Sequence, residues 1–186
     1  MIVIKLGGSL IASGKLQQCL DKIERCYQDK AVVIVPGGGV FADQVRRAQQ
    51  QWHFDDRTAH LMAILAMQQM ALLLNGIKPH FLIAASIGEL GKAVSQQGVT
   101  IWSPDIVELD KAGIPSSWDI TSDSLSAWIA KTLGADELIL IKSVNIGNDF
   151  DVLKLVQQQV VDASFHEFTQ QTSFKINIVH AEDFLS

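Results

Sequence analysis

Two lysines in this chain stand where lysine is costly. Lys5 sits near the end of the apolar run IVIKL, and Lys142 closes ELILIK. Burying an ammonium group is expensive unless a partner or a ligand meets it. Soon after Lys5 come three small residues, Gly7, Gly8 and Ser9. The next apolar run, AVVIVP, ends in Gly37, Gly38 and Gly39 and leads into a helical pattern. Glycine lets backbone approach a ligand closely, and a helix N-terminus adds partial positive charge. Bare N–H donors beside a full positive charge suit a phosphate chain. A single glycine pair is equally well explained as a tight turn. Lys142 alone would equally be a lysine snorkelling to the surface at a strand end.

A third group lies in WDITSDSLSAW. Asp119, Thr121, Ser122 and Asp123 cluster at a helix start. With Thr121 or Ser122 as N-cap, Asp123 falls in the first turn, where the helix dipole favours its ionised form. A carboxylate there would hold Lys5 or engage a phosphate-bound Mg²⁺. Capping accounts for one or two of these side chains, not four.

These groups need elements to position them. Apolar runs at 2–6, 31–36, 80–85, 99–103, 137–144 and 173–179 have the length and composition of buried strands. Between them lie helical patterns at 14–28, 40–52 and 122–134, with a short one from Ile87 and a helical turn opened by Ser103-Pro104. A long helix runs from a cap at Asp55 or Asp56 to a stop at Gly76. It is apolar nearly all round, so it is expected to be buried on every side. His60, near its start, is either a packed histidine or a contact to a substrate anion. Alternation of this kind predicts an α/β fold, a three-layer α/β/α sandwich with a mainly parallel central sheet. Ligands in such sheets bind beyond the carboxyl ends of the strands.

The bulk properties narrow the function. The chain has 186 residues, 48% of them hydrophobic and 19% charged, with a net charge of −5. It is read as one domain over 1–186. No basic run appears, which argues against nucleic acid and leaves room for a small anionic substrate. The apolar stretch LMAILAMQQMALLL is interrupted by Gln68 and Gln69 and reads as too short to span a bilayer. With no signal-peptide pattern, a cytoplasmic location without membrane contact is expected. Cys19 and Cys26, about two turns apart on one helix, are both expected to be packing residues.

No G-x-x-x-x-G-K-[ST] loop is present. GGGVFA at 37–42 does match the G-x-G-x-x-A dinucleotide fingerprint, which would make the chain an NAD-dependent oxidoreductase. That fingerprint needs an acidic residue at the end of the next strand. Asp55 and Asp56 have about the right offset but come after a helix, so this reading ranks lower.

VIKLGGSL, VIVPGGGVFADQV, WDITSDSLSAWIAKTLGA and LILIKSVNIG resemble, in order, the signature segments of the amino acid kinase superfamily (aspartate, glutamate and uridylate kinases). The similarity is greatest to a small branch, the aminomethylfuran phosphate kinases of one-carbon cofactor synthesis. The resemblance implies ATP-dependent phosphoryl transfer with Mg²⁺ carried on the phosphates, and a homodimer through the long helix. It implies catalytic roles for Lys5 and Asp123. Gly7, Gly8, Ser9, Gly37, Gly38, Gly39 and Lys142 would bind ATP phosphates. Asp119, Thr121 and His60 would face the acceptor, a phosphate monoester or carboxylate. Many members carry a Gly-Gly-Met segment with a second lysine beyond the KSV strand. It is missing here, so the C-terminal nucleotide-binding part is shortened. Lys142 or Lys154 must then replace that lysine, or the chain binds nucleotide without catalysis.

Overall fold

The computed structural model describes residues 1–27, 29–144, 146 and 151–186. Asn145 and Gly147 of LILIKSVNIG therefore lie outside the described residues. Six strands, β1 (Ile2–Leu6), β2 (Ala31–Pro36), β3 (Leu82–Ala84), β4 (Gly98–Trp102), β5 (Glu137–Lys142) and β6 (Lys175–His180), form one sheet in the order β3-β4-β2-β1-β5-β6. Every neighbouring pair is parallel. All six match the apolar runs, and the sheet is wholly rather than mainly parallel.

Helices cover both faces, as the three-layer reading requires. On one face α1 (Leu16–Cys26) and α9 (Ala181–Leu185) pack on Ile2, Ile4, Leu6, Ile139 and Ile141. On the other, α4 (Ile87–Ser95), α5 (Ile106–Lys111), α6 (Ser122–Thr132), α7 (Val152–Gln157) and α8 (Phe165–Thr169) share a core with Val3, Val33, Val35, Leu138 and Leu140. Side chains alternate between faces along a strand. Lys5 therefore points the same way as Val3, and Lys142 the same way as Leu140, both toward α6. The chain leaves β1 toward β2 and leaves β5 toward β6, in opposite directions. The β1/β5 boundary is thus the switch point where a parallel sheet opens to ligand.

Two longer helices, α2 (Gly39–Trp52) and α3 (Asp56–Ile77), pack together at that carboxyl edge, where α2 also meets the short 3-10 turn Gly8–Leu10. Asp55 caps α3 by accepting from the Thr58 N–H at 2.8 Å. No strand intervenes between α2 and α3, so Asp55 is a helix cap and not the ribose-binding acid of a dinucleotide fold. α3 also runs through Gln68, Gln69 and Gly76 for 22 residues. Glutamine is a good helix former, and the Gln68 side-chain amide donates to the Pro104 carbonyl at 2.8 Å. By length and composition α3 could cross a membrane, and 39% of its most apolar window is buried. It is not buried on every side: Leu65 and Leu72 are 47% and 64% exposed. Cys19 is buried, which pushes its thiol up to about 11, whereas Cys26 is exposed and not a core residue.

Candidate active site

The two strand-end lysines meet one carboxylate. Asp123, in the first turn of α6, is 4% exposed. Lys142 Nζ donates to its Oδ2 at 2.6 Å, and Lys5 Nζ lies 2.8 Å from its Oδ1. Each carboxylate oxygen thus faces its own ammonium group. Lys5 and Lys142 are themselves buried, at 5% and 8% exposure. Burial works to push the Asp123 carboxyl up, but the charges of Lys5 and Lys142 outweigh it, and the net direction is down. Burial and then the Lys5 charge bring Lys142 down to about 8, against the pull of Asp123. The three groups carry one net positive charge in a dry setting.

Beside this bracket the two glycine turns touch backbone to backbone. A Cβ on Gly8 would lie 2.4 Å from the Gly39 backbone, and one on Gly37 would lie 2.8 Å from the Gly8 nitrogen. Gly39 also adopts φ +54. No side chain fits between these turns. The Gly37 N–H donates to the Leu6 carbonyl at 2.9 Å and the Gly7 N–H to the Ile141 carbonyl at 3.1 Å. These bonds seat both turns at the ends of β1 and β5. Ser9, exposed beside them, accepts from the Ser143 hydroxyl at 2.6 Å.

A cleft of about 380 Å³ opens from the glycine turns, with Gly8, Gly37, Gly38, Gly39, Thr121 and Ser122 at one end. Its other wall carries Asp43, Arg46, His60 and Trp118, and Ile64, Met67 and Leu125 form its apolar part. His60 lines this cleft. It is buried and its pKa is lowered by burial, with Ser117 and Asp110 offsetting only in part. Burial thus disfavours a positive charge at this wall. Thr121 lines the cleft as the N-cap of α6, with its hydroxyl turned to Asp162. Asp119 is not among the lining residues; its carboxylate accepts from the Ser117 hydroxyl at 3.1 Å. Lys154 lies exposed on α7, while Lys142 reaches Asp123.

Two parts of the site had no sequence signal. Asp162 reaches back across 41 positions to cap α6, its Oδ2 accepting from the Thr121 N–H and hydroxyl at 2.8 Å each. The same oxygen accepts from the Ser124 N–H at 3.0 Å, and the Ser124 hydroxyl donates to Oδ1. Arg46 lies 4.0 Å from the Trp118 ring centre.

A parallel α/β sheet whose switch point holds two buried ammonium groups, one shared carboxylate and a pair of interlocked glycine turns belongs to the phosphoryl-transferring class. The model of the amino acid kinase family matches residues 1–147, and the chain belongs to that family. It is accordingly an ATP-using small-molecule kinase. The chain is 30% identical over 146 residues to the [5-(aminomethyl)furan-3-yl]methyl phosphate kinase of Methanocaldococcus jannaschii, covering 78% of this chain and 67% of that one. Its fold matches the uridylate kinase of Archaeoglobus fulgidus with a TM-score of 0.76 at 18% identity, over 99% of this chain and 93% of that one. It also matches the aspartate kinase of Synechocystis with a TM-score of 0.72 at 15% identity, over 97% of this chain and 38% of that one.

Proposed function

We propose that the chain transfers the γ-phosphoryl group of MgATP to a phosphate monoester, with [5-(aminomethyl)furan-3-yl]methyl phosphate the acceptor favoured by the relative's name. The observation that carries this reading is the Lys5–Asp123–Lys142 bracket facing the glycine turns. An acceptor phosphate oxygen attacks the γ-phosphorus, the bond to the β–γ bridging oxygen breaks, and ADP leaves with that electron pair. The acceptor is already ionised, so no general base is required. Lys5 and Lys142 offset charge on the transferring oxygens, and the flanking phosphates are held by N–H groups of the glycine turns other than those of Gly7 and Gly37, which are already donated to the Ile141 and Leu6 carbonyls.

Mg²⁺ fits this scheme as an ion carried on the phosphates. Both Asp123 oxygens already face ammonium groups. Among the described residues no group of three His, Cys, Asp or Glu side chains could hold a metal. When bound, the ion supplies further neutralisation of phosphate charge. Lys142, already at Asp123, takes the place of the missing second lysine, which favours catalysis over nucleotide binding alone. The exposed apolar face of α3, with the groove it forms beside Phe41 and Val45 of α2, supports a homodimer. A cytoplasmic location completes the reading.

The test is ATP consumption over a panel of the furan phosphate, UMP, aspartate and glutamate. ADP and a diphosphate product from the furan phosphate are expected; ATP binding without turnover on any acceptor would overturn the kinase role. A pH profile probes the bracket separately. Lys142 is charged below about 8 and loses its proton above it. Turnover is therefore expected to fall as pH rises through about 8, and Lys142→Arg, which keeps its charge, to lose that alkaline limb. An unchanged limb in the arginine variant would remove Lys142 from the mechanism.

A further inference from the structure

We infer that Arg46, braced on the Trp118 ring, is the anchor for the acceptor's anionic group; this rests on the phosphoryl-transfer reading of the cleft. Gly39, Asp43 and Arg46 recur at helical spacing and share one face of α2, running from the glycine turns along the cleft wall. Side chains on a helix lean toward its N-terminus, which here is the glycine-turn end. The guanidinium carbon of Arg46 lies 4.0 Å from the Trp118 ring centre. A guanidinium seated over a ring face keeps N–H donors beyond the ring contact, and its fork matches phosphate bidentately.

The brace is itself held. Trp118 Nε1–H donates to Gln49 Oε1 at 2.6 Å, and Gln49 Nε2 donates to Asp56 Oδ1 at 2.8 Å and to the Phe54 carbonyl at 3.2 Å. One network thus ties α2, the start of α3 and the segment before α6 around a single cation. Arg46 makes no ion pair with a carboxylate among the described residues, although Asp43 lies one turn away. The other cations near the cleft are committed: Lys5 and Lys142 share Asp123. Burial disfavours a charge on His60. Among the described residues lining the cleft, Arg46 is a cation without such a commitment.

The experiment compares wild type with Arg46→Met, which keeps the packing on Trp118 but not the charge, and Arg46→Lys. Calorimetric binding of the furan phosphate and of a non-hydrolysable ATP analogue is measured beside steady-state kinetics and melting temperature. Arg46→Met is expected to raise Kd and KM for the furan phosphate by about 10- to 100-fold. The ATP analogue's affinity, kcat and the melting temperature stay near wild type, and Arg46→Lys falls between. Equal furan-phosphate affinity in Arg46→Met and wild type overturns the assignment. So does a parallel loss of ATP affinity, or a wild type that binds no furan phosphate. Arg46-dependent binding with no phosphoryl transfer would instead sink the kinase role and leave the anchor standing.

Discussion

Asp123→Asn is expected to abolish turnover and to destabilise the fold by about 3–5 kcal/mol, the usual cost of breaking a buried charge cluster. In the native protein one carboxylate lies 2.8 Å from Lys5 Nζ and 2.6 Å from Lys142 Nζ. Asparagine keeps the shape and removes the charge. Two ammonium groups, 5% and 8% exposed, would then face one another without a counter-ion. The penalty depends on pH with a definite sign. Lys142 is already lowered to about 8 with Asp123 present, and losing Asp123 lowers it further. At pH 6 the variant pays for desolvation and repulsion or for proton loss; near pH 9.5 Lys142 is neutral even in the parent, so less is lost. Urea melts of parent and variant at both values measure this. Equal stability at pH 6 would show that the lysines find another counter-charge. Asp123→Ala in the presence of added ATP offers a second reading, because bound phosphates would replace the missing anion and recover part of the loss.

The strand ends were readable because a parallel sheet buries both faces of its strands, so a lysine in such a run has to be accounted for. Period-two alternation then puts Lys5 with Val3 and Lys142 with Leu140, on the α6 side. The position of Asp123 in the first turn of α6 completes the bracket. Sequence spacing could not show contact made across the fold. Asp162 stabilises the N-terminus of α6 from 38 positions beyond Ser124, outside the residues matched by the family model. No local pattern marks such a cap, because the backbone donors it satisfies belong to another segment. Arg46 and Trp118 meet only because α2 and the α5–α6 connection converge on the cleft, and two adjacent arginines on an amphipathic helix otherwise read as solvent-facing charge. The long helix misled in the opposite way. Its apolar composition suggested complete burial, yet Leu65 and Leu72 stay exposed, because α3 touches α2 and the sheet edge along only part of its circumference.

Lys5→Met is expected to lower kcat by about 10²- to 10³-fold, the usual loss when one preorganised charge-stabilising contact is removed, while leaving the protein folded. The contrast with Asp123 comes from charge counting within the bracket. Removing Lys5 leaves Asp123 and Lys142 as a neutral one-to-one pair at 2.6 Å, and methionine, close to lysine in length, fills the buried space without a charge. The melting temperature should therefore change far less than in Asp123→Asn. A second consequence is directional. After burial, the Lys5 charge is the next cause lowering Lys142. Its removal raises Lys142, so the alkaline limb of the residual activity should move above pH 8. A stable Lys5→Met protein with wild-type kcat would take Lys5 out of the reaction. One with low kcat but an unmoved limb would separate Lys5 from Lys142 and show that the two cations do not act as a coupled pair.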